Sequence, residues 1–175
     1  IFFMTGKKKW KKKLAAACVS ALFLSAGCGG VEPEKRMYPL ALGADITDGG
    51  ANSDLVDYSS SSTGINLTLL DSGATVNVSH NIGGVASDSL TNIEGIKGST
   101  TASNTLIGNN MNNTLIGGNQ TDTIKGVSGN NSLSGGAGND TIFAGTGSDT
   151  IDGGAGDDWL DYTDLASTNV SVNLR

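Results

Sequence analysis

Across residues 99–161 an aliphatic side chain recurs every ninth residue: Leu106, Leu115, Ile124, Leu133, Ile142, Ile151 and Leu160. Two positions before each of these stands Asn or Asp: Asn104, Asn113, Asp122, Asn131, Asp140, Asp149 and Asp158. In register the units read STTASNTLI, GNNMNNTLI, GGNQTDTIK, GVSGNNSLS, GGAGNDTIF, AGTGSDTID and GGAGDDWLD. One such unit would be ordinary turn composition, but seven in unbroken register predict a repeat architecture in which each unit buries its apolar face only against its neighbours. Upstream, residues 65–69 and 75–78 alternate apolar and polar side chains, as strands with one covered face do.

The last three units resemble the glycine- and aspartate-rich nonapeptide of the RTX (hemolysin-type calcium-binding) family. The resemblance implies an all-β fold, a parallel β-roll wound as a right-handed solenoid, preceded here by an irregular β segment. In such a roll six residues turn, three form a short strand, and two nonapeptides complete one coil. The eighth-position aliphatics then point inward as the core and their neighbours face water. Gly135, Gly136 and Gly138, with Gly153, Gly154 and Gly156, fall where a tight turn demands positive φ or close backbone approach.

The resemblance also implies bound calcium, and the chemistry of the residues agrees. One buried Leu or Ile per unit contributes only roughly 2 kcal/mol, a thin core for nine ordered residues. With two units per coil, residues eighteen apart stack, which brings Asp140 beside Asp158 at about 4.8 Å. Two carboxylates at that separation repel by roughly 3 kcal/mol at an effective dielectric near 20. Ca²⁺, which accepts six to eight oxygens from carboxylates and backbone carbonyls, turns that repulsion into cohesion, so that binding and folding share one free energy.

The family pattern carries over unevenly. It fits residues 135–143 and 153–161 in full. Residues 144–152 have Ala144 for the first glycine but keep Gly147 and Asp149, while residues 117–125 have Gln120 where the third glycine belongs and keep Asp122. Units with Asn at the sixth position lack the charge. Sites are therefore expected between the turns at 135 and 153 (Asp140, Asp158) and between those at 117 and 135 (Asp122, Asp140), ahead of a pairing of Asp149 with Asn131. A metal-free solenoid held by Asn ladders and strand hydrogen bonds stays open, above all for the early units.

Composition narrows the function. The 175 residues carry a net charge of −6, with 26 Gly, two Pro and 5% aromatics. Six of the eleven basic residues are Lys7, Lys8, Lys9, Lys11, Lys12 and Lys13; beyond residue 27, five bases face all seventeen acids, which gives 5 − 17 = −12. Such a surface argues for cations and against nucleic acid. No HExxH and no nucleophile motif is present, so an enzyme is not expected. The single histidine, His80, lies on an alternating stretch and is expected at the surface.

The lysine cluster is followed by thirteen apolar or small residues, 14–26, too short to span a bilayer and shaped like a targeting signal. It ends Leu24-Ser25-Ala26-Gly27-Cys28. This is similar to a bacterial lipobox, which implies cleavage after residue 27 and a lipid on Cys28, although Ser25 stands where an aliphatic is preferred. An ordinary secretory signal is the alternative. Cys18 lies inside the removed segment. Residues 28–44, mixing charge and proline without period, read as a tether. A surface or secreted location outside a bacterial cell follows.

Residues 45–98 open with a degenerate nonapeptide. Residues 49–58 match residues 153–162 at an offset of 104, and Ile65, Leu67 and Leu69 correspond to Val170, Val172 and Leu174 after a one-residue insertion. Residues 162–175 thus read as the start of a second module broken off at Arg175, which leaves open a fragment of a larger adhesin, toxin or hydrolase. Asp54, in the first copy, reads as a turn residue without a neighbouring coil. Threonines at the seventh position (Thr105, Thr114, Thr123, Thr141, Thr150) raise a third class, an ice- or surface-binding solenoid.

Overall fold

The computed structural model describes residues 35–39, 43–163 and 171–174. The targeting segment, Cys28 and most of the tether lie outside the described residues, as do residues 164–170 and Arg175. The strands before the array are β1 (Lys35–Pro39), β2 (Ile46–Asp48), β3 (Ser53–Asp57), β4 (Asn66–Thr68), β5 (Thr75–Asn81), β6 (Val85–Thr91) and β7 (Gly95–Lys97). Those of the array are β8 (Thr105–Ile107), β9 (Thr114–Gly118), β10 (Thr123–Lys125), β11 (Ser132–Ala137), β12 (Thr141–Phe143), β13 (Thr150–Ala155) and β14 (Trp159–Asp161), and β15 (Ser171–Leu174) follows. Among the described residues there is no helix.

The strands alternate between two parallel sheets. One has the order β1-β3-β7-β9-β11-β13-β15 and the other β14-β12-β10-β8-β4. Pairing joins residues eighteen apart throughout the array, as Leu106 with Ile124 and Ile142, and Leu115 with Leu133 and Ile151. This is the two-unit coil of a β-roll. The eighth-position side chains from Leu106 to Ile151 are essentially inaccessible and form a two-column core, while Leu160 at the far end is half-buried.

Residues before the array enter the same two sheets. Val56 pairs with Ile96, Ile96 with Leu115, and Leu67 with Leu106. Each column of the core therefore begins upstream of the periodic region. β1, inside the stretch read as a tether, pairs with β3 at the sheet edge. The antiparallel pair β5 and β6, with β2 beside β6, forms a separate three-stranded sheet between β4 and β7.

The two long-range copies lie on opposite faces. Val56 is in the sheet of Ile151, whereas its counterpart Leu160 is in the sheet of Ile142; Leu67 and Val172 are exchanged the same way. The cause is parity. Nine strands of the two sheets (β4 and β7 to β14) follow β3 up to β14, an odd number of half-coils, so the later copy starts on the other side.

His80 is not at the surface. It is 2% exposed, because its face of β5 packs against the roll together with Val78, and its Nε2 lies 3.0 Å from Asp88 Oδ1. Tyr58 OH donates to Asp88 Oδ2 at 2.9 Å. This buried trio fastens the hairpin to the coil behind it, satisfying groups that would otherwise be costly to bury. Burial and the neighbouring Asp88 carboxylate push the Tyr58 phenol far up.

Candidate metal centre

The sixth-position residues line the two edges of the roll, where the chain crosses from sheet to sheet. One edge carries Asn104, Asp122, Asp140 and Asp158; the other carries Asn113, Asn131 and Asp149. All but Asp158 are buried. Along each edge one side-chain oxygen accepts the backbone N–H of the residue one coil earlier. On the first, Asn104 N donates to Asp122 Oδ1 at 2.6 Å, Asp122 N to Asp140 Oδ1 at 2.8 Å and Asp140 N to Asp158 Oδ1 at 3.0 Å. On the second, Asn113 N donates to Asn131 Oδ1 at 2.9 Å and Asn131 N to Asp149 Oδ1 at 2.8 Å.

The second oxygen behaves differently. Oδ2 of Asp122, Asp140 and Asp149 is buried and has no hydrogen-bond partner. Where Asn replaces Asp, the equivalent atom is a donor and is used. Asn131 Nδ2 donates to the turn carbonyls of Ser128 and Gly129, both at 3.3 Å, and Asn104 Nδ2 to those of Ser99 and Ala102 at 2.9 and 3.1 Å. An Asp unit therefore holds oxygens where an Asn unit holds N–H groups, and a cation is what replaces the missing positive edge.

The glycines make the room. A Cβ on Gly117, Gly135 or Gly153 would overlap Oδ2 of Asp122, Asp140 or Asp158 respectively, so the first glycine of each unit is the floor on which the carboxylate lies. Gly136, Gly138, Gly147, Gly154 and Gly156 have positive φ, and a Cβ on each would strike the backbone of the preceding coil. Gly135 and Gly153 are thus needed for close approach and not for their backbone angles. Val127 takes the place of the second glycine in its unit and holds φ at 72°, a strained value for a β-branched residue.

Electrostatics marks the same column. Burial, with the flanking Asp122 and Asp158 charges, pushes Asp140 up to about 6. Burial also raises Asp122. Among the described residues no three His, Cys, Asp or Glu side chains converge as a metal cluster. The donors on offer are stacked carboxylates and backbone carbonyls, an oxygen-only set that suits a hard cation and not zinc.

Residues 99–133 and 125–160 match the RTX calcium-binding nonapeptide repeat, in four copies. Over those residues the β-roll is similar to that family's repeat. It is a calcium-binding structural element, and the match stops short of the coils formed by residues 45–98. Among curated proteins none matches the chain.

Two further expectations change in the folded chain. Asp54 is not an isolated turn residue: it is 1% exposed within β3, and Glu94 of the next coil accepts its N–H at 3.0 Å. Asp54 and Glu94 thus occupy the sixth-position column upstream of Asn113. Burial and the adjacent Asp54 charge raise Glu94. The seventh-position threonines do not make one row, since Thr105, Thr123 and Thr141 align on one sheet while Thr114 and Thr150 sit on the other with Ser132 between them.

Proposed function

We propose that this chain is a calcium-stabilised structural module displayed outside a bacterial cell, with lipid on Cys28 as its anchor and no catalysis of its own. The observation that carries it is the column Asp122, Asp140, Asp158, whose carboxylates stack in successive coils with Oδ2 of the first two buried and unpartnered. Asp122 with Asp140, and Asp140 with Asp158, would hold the ions together with carbonyls of the turns that Gly135, Gly136 and Gly138, and Gly153, Gly154 and Gly156, keep open. Asp149, with Gly147 in its turn, would hold a weaker ion beside Asn131, whose own amide already occupies the turn carbonyls. Bound there, calcium supplies charge neutralisation and a link between coils.

Calorimetric titration of the chain with Ca²⁺, followed in parallel by circular dichroism, tests this. Saturable binding with a Kd of about 10⁻⁴ to 10⁻³ M, accompanied by a gain of β signal, supports it; no heat and an unchanged spectrum at 10-fold higher Ca²⁺ contradict it. The anchor is tested separately by detergent-phase partition of the expressed precursor, which Cys28→Ser abolishes if the lipid is there.

A further inference from the structure

The last coil repeats an early one in geometry as well as in sequence. Asp161 Oδ1 accepts the N–H of Thr163 at 2.8 Å, as Asp57 Oδ1 accepts that of Ser59 at 2.8 Å. A Cβ on Gly153 would strike the Asp158 side chain, as one on Gly49 would strike that of Asp54. Residues 49–58 and 153–162 are therefore one turn and strand built twice, with Val172 standing for Leu67 in the strand that follows.

Their surroundings differ. Val56, Tyr58 and Leu67 are buried, whereas their counterparts are open: Leu160 is half-buried, Tyr162 is 37% exposed and Val172 is 36% exposed. In the early copy the cover is residues 75–107. Ile96 pairs with Val56 and Leu106 with Leu67, and Lys97 Nζ lies 3.5 Å from Asp57 Oδ2. The hairpin brings the His80 ring to 5.6 Å from that of Tyr58, and Asp88 accepts from the phenol. Among the described residues none accepts from the Tyr162 hydroxyl, and Trp159, Leu160 and Tyr162 line an open groove with Asp161 and Thr163.

The backbone is open at the same place. Among the described strands β14 is the outer one of its sheet and β15 of the other, so both ladders end at this coil. An edge of this kind presents a row of N–H and C=O groups that an added strand satisfies, while the side chains decide which strand is accepted. Here they present a phenol, a carboxylate on Asp161 and an aliphatic on each sheet.

We propose that the coil of β14 and β15 is a docking surface for a polypeptide segment of the 75–107 pattern, belonging to a further module joined after it. That segment brings a hairpin carboxylate to the Tyr162 hydroxyl, as Asp88 is brought to Tyr58, and a cation to Asp161, as Lys97 is brought to Asp57. Its two strands extend the ladders of β14 and β15 and lay aliphatic side chains on Leu160 and Val172. A folded second copy of this chain does not supply it, because residues 75–107 of each copy are already engaged on its own Val56, Tyr58 and Leu67.

The test appends a copy of residues 71–107 after Arg175, which stands where Leu70 does in the early copy. The full chain carries Trp10→Phe, so that Trp159, 68% exposed and at the rim of the groove, is its one indole. In saturating Ca²⁺ the extension should shift Trp159 emission to the blue and lower its acrylamide quenching severalfold. Asp88→Ala made in the appended segment alone should return much of that quenching, as should Tyr162→Phe, whereas Ser87→Ala in the same segment, on the outer face of the hairpin, should not. Unchanged quenching on extension overturns the proposal, as does loss of the hydrogen-exchange protection of β9 to β13. Equal effects of Asp88→Ala and Ser87→Ala overturn the pairing with Tyr162. If Trp159 of the unextended chain becomes shielded as concentration rises, with a dimer in sedimentation, a second copy is the occupant and the proposal fails.

Discussion

Asp122 donates its backbone N–H to Asp140 Oδ1 at 2.8 Å, across one full coil, and that bond fixes the Asp140 carboxylate with its other oxygen facing the turn without a partner. The ladder bond and the ion site are two halves of one side chain. Holding the first makes the second unavoidable, because a carboxylate has no proton to offer the carbonyls that an Asn would engage.

Asp140→Asn should therefore act in opposite directions with and without calcium. Asp140 belongs to both pairs in the column, so its loss should weaken calcium binding by about tenfold or more, each tenfold being about 1.4 kcal/mol. In EGTA the same variant should be more stable, by roughly 1–3 kcal/mol, the cost of a buried unsatisfied polar group. Titration calorimetry and urea unfolding check the two signs.

The ion-free protein should lose stability as pH rises. Asp140 titrates near 6 in the folded chain against 3.8 ordinarily, and burial raises Asp122 and Glu94 in the same direction. A carboxyl raised in the folded state binds more protons there than when unfolded, so its contribution is fully present below pH 3.8 and disappears as pH passes 6. In EGTA the melting temperature should fall between about pH 4 and pH 6.5. With calcium, which competes with those protons, it should rise over that interval.

Val127→Gly should stabilise the roll. At φ 72° a valine is strained by roughly 1–2 kcal/mol, and the neighbouring coil already uses glycine there, Gly145 at φ 85°. Part of the gain is offset by the freedom glycine adds to the unfolded chain, about 0.5–1 kcal/mol. The expected net change is about 1 kcal/mol or less of added stability by urea unfolding in Ca²⁺.

Tyr58→Phe should destabilise equally in EGTA and in Ca²⁺. It removes the donor to Asp88 Oδ2 in a fully buried setting, at a cost of roughly 1–3 kcal/mol. Any calcium dependence would show up as unequal midpoint shifts in paired urea titrations.

Most of the array was legible in the sequence, because a strict nine-residue period leaves a single way to bury Leu106 to Ile151 and to stack residues eighteen apart. Even the difference between the two edges is written there, as Asp or Asn at the sixth position. The first coils were hidden for a physical reason. Val56, Leu67 and Ile96 continue the two core columns, but they stand eleven and twenty-nine residues apart because a hairpin is inserted between β4 and β7. No period survives that. His80 was misplaced for a related reason: alternation shows that one face of a strand is covered, not that the covering coil supplies Tyr58, which shares Asp88 with it from thirty residues before that acid. Glu94, forty residues from Asp54, could have been suspected from its position two before Ile96, as each array acid stands two before its aliphatic.

Thermal unfolding of the full chain, recorded by calorimetry in EGTA and in 10 mM Ca²⁺ at pH 7.5, probes calcium-held coils most directly. Ions that bind the folded column and not the unfolded chain must raise the melting temperature, with stabilisation growing as the logarithm of calcium concentration above Kd. Superimposable transitions in the two solutions would contradict calcium as what holds the Asp122, Asp140 and Asp158 coils together.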